Sequence, residues 1–364
     1  MHGFLIALVV GIVIVSVFLC FDFQLQYPRS LTGEVHFQLK QQHPIDALLP
    51  WVDTRDPAWK AKKRKHQGLL PTPNLHDDQR LPKSSWAHFE VMQCVPLLLK
   101  NMPFLRHLVV VVMRPQQLPQ DLLNKLPPEH RAKIRYVYHD EYIPSEYLPT
   151  FNSSVIEMFM HRISSLSEHF ILFNDDFYVL RLVKPHHFFG NITTAHKKTQ
   201  YVPIMSGLKT HWGHRVLLAG WAAHHLDKWS SAAMHAASRF YTESVYRRAR
   251  PHRKKVILYD RDHRPLGLTK SMLRQAFGEL PPDVTKKTAN QKFRSSDGLL
   301  LVVYAIHVAI DNNAIVLWPG YTSLCANFER QLSITSTLGA QFLNVNNADM
   351  GIQRNRERLL KLLY

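Results

Sequence analysis

A few acids that follow apolar runs are the side chains of this 364-residue chain whose types and spacing could do chemistry. Asp175 and Asp176 stand together in Asn174-Asp-Asp, directly after the apolar run Phe170-Ile-Leu-Phe173. That run predicts a short, fully buried strand, and carboxylates at the carboxyl end of such a strand sit where open α/β sheets bind ligands. Hard divalent cations need oxygen ligands, and Mg²⁺ usually takes one or two carboxylates together with substrate phosphates. A simple turn accounts for the same three letters equally well. Asp53 repeats the arrangement at the end of Ile45-Asp-Ala-Leu-Leu-Pro-Trp-Val-Asp53. Far along the chain, His263 lies in Asp262-His-Arg-Pro and Arg294 in Arg294-Ser-Ser-Asp297. Arginine grips phosphate with a planar fork and keeps its charge. Histidine near neutral pH can accept a hydroxyl proton. Taken alone, each of these two is an ordinary surface residue.

The elements that must position them are legible as periodic runs. Ser154 with Glu157 three residues later reads as a capping box opening a helix. Val155, Ile156, Phe159, Met160 and Ile163 give that helix a core-facing stripe. Ile45–Asp53, Leu105–Met113 and Ile134–Tyr138 read as buried strands, and Glu90–Leu99 as a helix kinked or started at Pro96. Strands alternating with helices at this spacing imply right-handed crossovers and a mostly parallel sheet, so the fold class is α/β with flanking helices. Asp56, ahead of Pro57, reads as a turn residue. Trp51 and Trp59 read equally as packing residues.

The segment Leu148-Pro-Thr-Phe-Asn152-Ser-Ser, a helix, and then Leu166-Ser-Glu-His-Phe-Ile-Leu-Phe-Asn-Asp-Asp-Phe177 resembles the central block of the Stealth family of hexose-1-phosphate transferases. That family includes bacterial capsule polymerases and the lysosomal-enzyme GlcNAc-1-phosphotransferase. Trp51-Val-Asp53 with Asp56-Pro-Ala-Trp59 is similar to its opening block, and Asp262–Leu273 with Leu280–Asp297 to its third. The resemblance implies a nucleotide-sugar transferase core of Rossmann-like type. It implies a donor that is a nucleoside diphosphate sugar, an acceptor that is a glycan or glycoprotein, and transfer of hexose-1-phosphate onto an acceptor hydroxyl. It implies Mg²⁺ (or Mn²⁺) on Asp175 and Asp176, catalytic roles for His263, Arg294 and Asp176, and substrate contacts from Trp51, Asp53, Asn152 and Asn174. Pro96 stands where the family has arginine and Asn347 where it has an acid, with Asp349 nearby. Two alternatives stay open: a metal-dependent glycosyltransferase that moves the sugar alone, and a catalytically inactive descendant that binds glycan.

Hydrophobic residues make up 46% of the chain, ample for a core, and the net charge is +17. That balance favours anionic partners. Neither zinc-finger spacing nor a recognisable RNA- or DNA-binding signature is present, so nucleic acid is not expected. Lys60-Ala-Lys-Lys-Arg-Lys65 and Arg247–Lys255 carry much of the charge, and such runs are usually solvated surface. The expected organisation is a signal anchor at 1–23, a stem at 24–44 and a catalytic domain at 45–364, with 181–255 as an insertion. Phe4 to Phe21 is almost unbroken apolar sequence, close to the ~20 residues that a membrane span requires. Basic residues on its C-terminal side favour one orientation, while the sequons at Asn152 and Asn191 favour the type II, Golgi-lumenal one. Of the three cysteines, Cys20 falls in the anchor, and Cys94 with Cys325 could form one bridge or none. The histidines at 211, 214, 224, 225 and 235 lack the closing ligands of a zinc site.

Overall fold

A computed structural model describes residues 35–36, 43–68, 86–193, 199–206, 209–210, 231–251, 259–260, 265–312, 314–318, 324–326 and 342–345. Its strands in chain order are β1 (Val35–His36), β2 (Ile45–Pro50), β3 (Leu108–Val112), β4 (Ile134–Tyr138), β5 (His169–Leu172), β6 (Phe177–Val179), β7 (Phe189–Thr193), β8 (Thr199–Ser206), β9 (Lys209–Thr210), β10 (Tyr259–Asp260), β11 (Leu266–Thr269), β12 (Val316–Trp318), β13 (Leu324–Ala326) and β14 (Phe342–Val345). The main helices are α1 (Pro57–Gln67), α2 (Trp86–Asn101), α3 (Gln120–Lys125), α4 (Ser153–Phe159), α5 (Ser231–Ala249), α6 (Lys270–Gly278), α7 (Pro282–Ala289) and α8 (Leu301–Asp311).

The central sheet has the order β11-β5-β2-β3-β4. β2, β3, β4 and β5 are parallel, and β11 closes one edge antiparallel to β5. Every residue of β3 and β5 is buried, as in a sheet covered on both faces. Alternation divides them: Leu108, Val110 and Val112 pack towards α2, whereas Val109 and Val111 join the core shared with α4, α6 and α8. The α/β architecture expected from the periodicity is therefore the one observed. Smaller sheets flank it: β1-β7-β8-β12, β13-β14-β6 and the pair β10-β9. Gly267 in β11 lets the flanking backbone approach, since a Cβ there would lie 2.6 Å from the Phe188 carbonyl oxygen.

Pro96 lies inside α2 and does not start it. A proline within a helix removes one hydrogen bond and costs about 3 kcal/mol. Val91, Cys94, Val95, Leu97, Leu98 and Leu99 are all buried against the sheet, and burial of that size offsets the loss. Cys94 is a free thiol, so it is not bridged to Cys325. Among the described residues no helix is long and apolar enough to cross a membrane; the run Phe4 to Phe21 lies outside them. Both sequon asparagines are buried, Asn152 at 1% exposure and Asn191 at 5%, which removes their weight as glycan acceptors.

One charge sits within the amino end of the sheet. Asp46, in β2, is 0% exposed. It accepts hydrogen bonds from Arg106 Nε at 2.9 Å, Ser167 N at 2.7 Å and His107 N at 3.2 Å, and Arg106 Nη2 completes the fork at 2.5 Å. It thereby ties the entries of β2, β3 and β5 together. Arg106 is 39% exposed while Asp46 is fully buried, so removing the guanidinium leaves the carboxylate short of a partner at a cost of about 1–3 kcal/mol. Arg106→Met is expected to lower unfolding stability by about that amount, measured from urea midpoints. A loss below about 1 kcal/mol would assign Asp46 to its backbone donors alone.

Candidate active site

The strand order changes direction between β2 and β5. From β2 the chain moves through β3 to β4 on one side and then crosses to β5 on the other. In open α/β sheets ligands bind outside the carboxyl ends of the strands at such a switch point. Leu48 pairs with Leu172, and Phe173 N donates to Leu48 O at 2.8 Å, so β2 and β5 end side by side. Asp53 follows one and Asn174-Asp175-Asp176 follows the other.

Asp53 is held from two sides. Its backbone N–H and carbonyl bracket the Gln116 side-chain amide at 3.2 and 3.1 Å, and the same amide reaches Asp56 at 2.9 Å. Arg55 forks onto its carboxylate at 3.1 and 3.0 Å. Burial alone would push the Asp53 carboxyl up, but the Arg55 side chain and N–H, with His88 beyond them, hold it below the usual carboxylate range. Asp56 is more than a turn residue: it caps α1, accepting from Ala58 N at 2.8 Å ahead of Pro57. Trp51 is 4% exposed and belongs to the core beneath the rim, the packing role that its sequence also allowed.

Asn174 makes the turn from β5 into β6, its carbonyl accepting from Phe177 N at 3.3 Å. Asp175 is half-buried, and Asp176 is 7% exposed. Behind them, Glu90 and Cys94 lie one turn apart on α2, both buried, with Tyr178 fully buried opposite. Burial pushes the Cys94 thiol up, and the charges of Asp175, Glu90 and Asp176 add to it. Glu90 lies inside α2, which begins at Trp86 and not at the expected Glu90. Among the described residues no three His, Cys, Asp or Glu side chains converge as a set that could hold a metal. Asp175 and Asp176 are the adjacent pair of hard oxygen donors at the switch point, a set suited to a cation that draws its other ligands from substrate phosphates and water.

Asn152 joins the second group. It is the N-cap of α4, with Oδ1 accepting from Ser154 N at 3.0 Å. The capping box expected from Ser154 and Glu157 is thus displaced, because the shorter Asn152 side chain already satisfies that donor. Its Nδ2 donates to the carbonyls of Gln291 and Phe293 at 3.2 and 3.0 Å. Phe151 N donates to Lys292 O at 2.9 Å, Lys292 Nζ to Leu148 O at 3.1 Å, and the Phe151 and Phe293 rings stack at 5.3 Å. This latch delivers Arg294, which is exposed and places Nε and Nη2 at 3.1 and 3.0 Å from Ser153 Oγ. Asp297 shapes the same loop: Lys287 at 2.7 Å and then Ser295 hold its carboxyl below the usual range. Trp59 of α1 meets Phe151 edge-on at 5.8 Å, which connects the latch to the loop after Asp53.

His263 lies outside the described residues, as do Asn347 and Asp349. The strands bordering them are described. β11 begins with Leu266 opposite Leu172, at the carboxyl end of β5. β14 runs antiparallel to β6 with Asn344 opposite Phe177, and so leaves its sheet beside Asp176. His139, directly after β4, is buried; that burial drives its pKa down to about 4, with Asp140 opposing, and keeps the ring neutral.

Residues 91–197 match the family model described as Stealth protein CR2, conserved region 2. The chain is 37% identical over 155 residues to the capsular polysaccharide phosphotransferase cps1A of Actinobacillus pleuropneumoniae, covering 41% of this chain and 39% of that protein. It is 36% identical over 152 residues to the capsular polysaccharide phosphotransferase LcbA of Aeromonas hydrophila, covering 42% and 40%. The matched stretch therefore spans about two fifths of these relatives' own length. Apo mouse xyloside xylosyltransferase 1 aligns over 83% of this chain and 98% of its own, with a TM-score of 0.37 and 11% identity, a likeness that carries no argument.

Asn152→Asp keeps an oxygen to cap α4 but turns a carboxylate towards the Gln291 and Phe293 carbonyls. Like dipoles then face each other, and the latch should open while α4 persists. Hydrogen exchange at the Phe151 amide, which bonds across the latch, should accelerate by about tenfold or more. Unchanged protection would mean that Asn152 does not hold the loop.

Proposed function

We propose that this chain, whose residues 91–197 match the Stealth CR2 family model, transfers hexose-1-phosphate from a nucleoside diphosphate sugar to a hydroxyl of a glycan acceptor. The observation that supports this reading is the set of connections the described residues make around the carboxyl edge of the sheet. The loops after β2 and β5 flank the switch point, β11 enters there from the His263 segment, and the Arg294 loop is latched to the start of α4.

In this reading the donor diphosphate lies over the switch point. Asp175 and Asp176 would hold Mg²⁺ (or Mn²⁺), which when bound neutralises the diphosphate and orients it. Arg294 carries a permanent charge that grips a phosphoryl oxygen, and phosphoryl transfer depends chiefly on such positioning and charge neutralisation. His263 accepts the proton of the acceptor hydroxyl as that oxygen bonds to the phosphorus attached to the hexose. The bond from that phosphorus to the bridging oxygen breaks, and the nucleoside monophosphate leaves with the electron pair. Asp53 and Asn174 border the donor, with Asp53 kept ionised by Arg55. Asn152 serves by holding the Arg294 loop, and Trp51 by supporting the rim from below.

The test is to incubate the protein with UDP- and GDP-sugars, Mg²⁺ and a panel of glycans, and to measure released nucleotide. Nucleoside monophosphate is expected; release of the diphosphate would mean that the sugar moves alone. Asp176→Asn and Arg294→Ala should each reduce release by about 10³-fold or more, with urea midpoints unchanged. Full activity in either variant would remove that residue from the mechanism.

A further inference from the structure

The helix that leaves the switch point exposes only basic charge, clustered in its second half. α1 carries Lys60, Lys62, Lys63, Arg64 and Lys65 with no acid among its eleven residues. Lys62, Arg64 and Lys65 are exposed. A cationic run is often just solvated surface, but this one has a fixed place. Its start is pinned by Asp56, whose carboxylate is braced by Gln116 beside Asp53. Its body is pinned by Trp59 and His66, whose rings lie 5.8 and 5.9 Å from Phe151. Phe151 stacks on Phe293, next to Arg294. Burial, and after it the charges of Lys292, Lys65 and Lys62, hold the His66 ring below its ordinary pKa. The cations of the helix and of the latch therefore share one field around that ring.

We propose that the exposed side of α1 is a track for a polyanionic glycan, a sugar chain bearing phosphate or comparable anionic groups, which it leads towards Arg294. Charge complementarity is the argument. A cluster of exposed cations on a helix held by aromatic contacts and free of acids matches the charge of such a polymer and not a neutral one. Lys62 and Lys65, three residues apart, lie on one side of the helix about 4.5 Å apart along its axis. That the track carries the acceptor rests on the transferase reading; that it binds a polyanion does not, and the test reads binding alone.

The experiment measures binding of fluorescent dextran sulfate, with neutral dextran as reference, by anisotropy at several salt concentrations. The protein should bind dextran sulfate and not dextran. Lys62→Gln/Arg64→Gln/Lys65→Gln should weaken binding by about tenfold or more, and should lower the slope of log affinity against log salt by about three, one per cation removed. Lys125→Gln/Arg131→Gln, which removes exposed charge between β3 and β4, should bind as the parent does. Matching urea midpoints establish that the variants are folded. Equal binding by the triple variant and the parent would overturn the proposal. So would equal losses in both variants, which would mean net charge acts without a track. Tighter binding to a short RNA duplex, or to vesicles rich in phosphatidylserine than to dextran sulfate, would assign the surface to nucleic acid or membrane and overturn it as well.

Discussion

The place of the Arg294 loop depends on one side-chain amide. Asn152 uses both ends of its group at once, oxygen to cap a helix and nitrogen to hold carbonyls from a segment about 140 residues away. Because it is buried, neither end can exchange its partner for water without cost. The helix start and the arginine loop are thus fixed to each other by the same atoms. A residue that only capped α4 would leave Arg294 on an untethered loop. One that only bonded the loop would leave the end of α4 unsatisfied.

The sheet supplies the second half of the arrangement. Parallel strands deliver every loop that follows them to the same edge, and the change of direction between β2 and β5 opens a gap there with acids on both sides. Asp46 and its partners secure the opposite edge. Charge in this fold is consequently separated by purpose. The carboxylate buried at the amino edge meets a guanidinium and backbone donors and is satisfied. Asp175 and Asp176 at the carboxyl edge adjoin Glu90 and Cys94, whose thiol is raised first by burial and further by those charges.

Much of this was legible in the letters. Apolar runs ending at acids marked β2 and β5 because a buried strand must stop where a charge can reach solvent, and the resemblance of the blocks ordered them along the chain. What could not be read was pairing over distance. Strand order follows from which runs meet, so the switch point had no local signature. Ser154 and Glu157 satisfied the capping pattern, and only the competing amide of Asn152, engaged far along the chain, displaced it. Pro96 read as a kink or a start; burial of its neighbours on α2 keeps it within the helix. Ser153 and Gln116, which meet Arg294 and brace Asp53, are common residues without a pattern to distinguish them.

The free thiol of Cys94 has a use that follows from its surroundings. Alkylating reagents react with thiolates, and this one is suppressed twice, by burial and by the acids beside it. Its modification can proceed only when α2 separates from β6 far enough to admit both water and reagent. The side chain is thus a native probe of how often the floor beneath Asp175 and Asp176 opens, and anything that settles onto that rim would register as slower labelling of an atom it never touches.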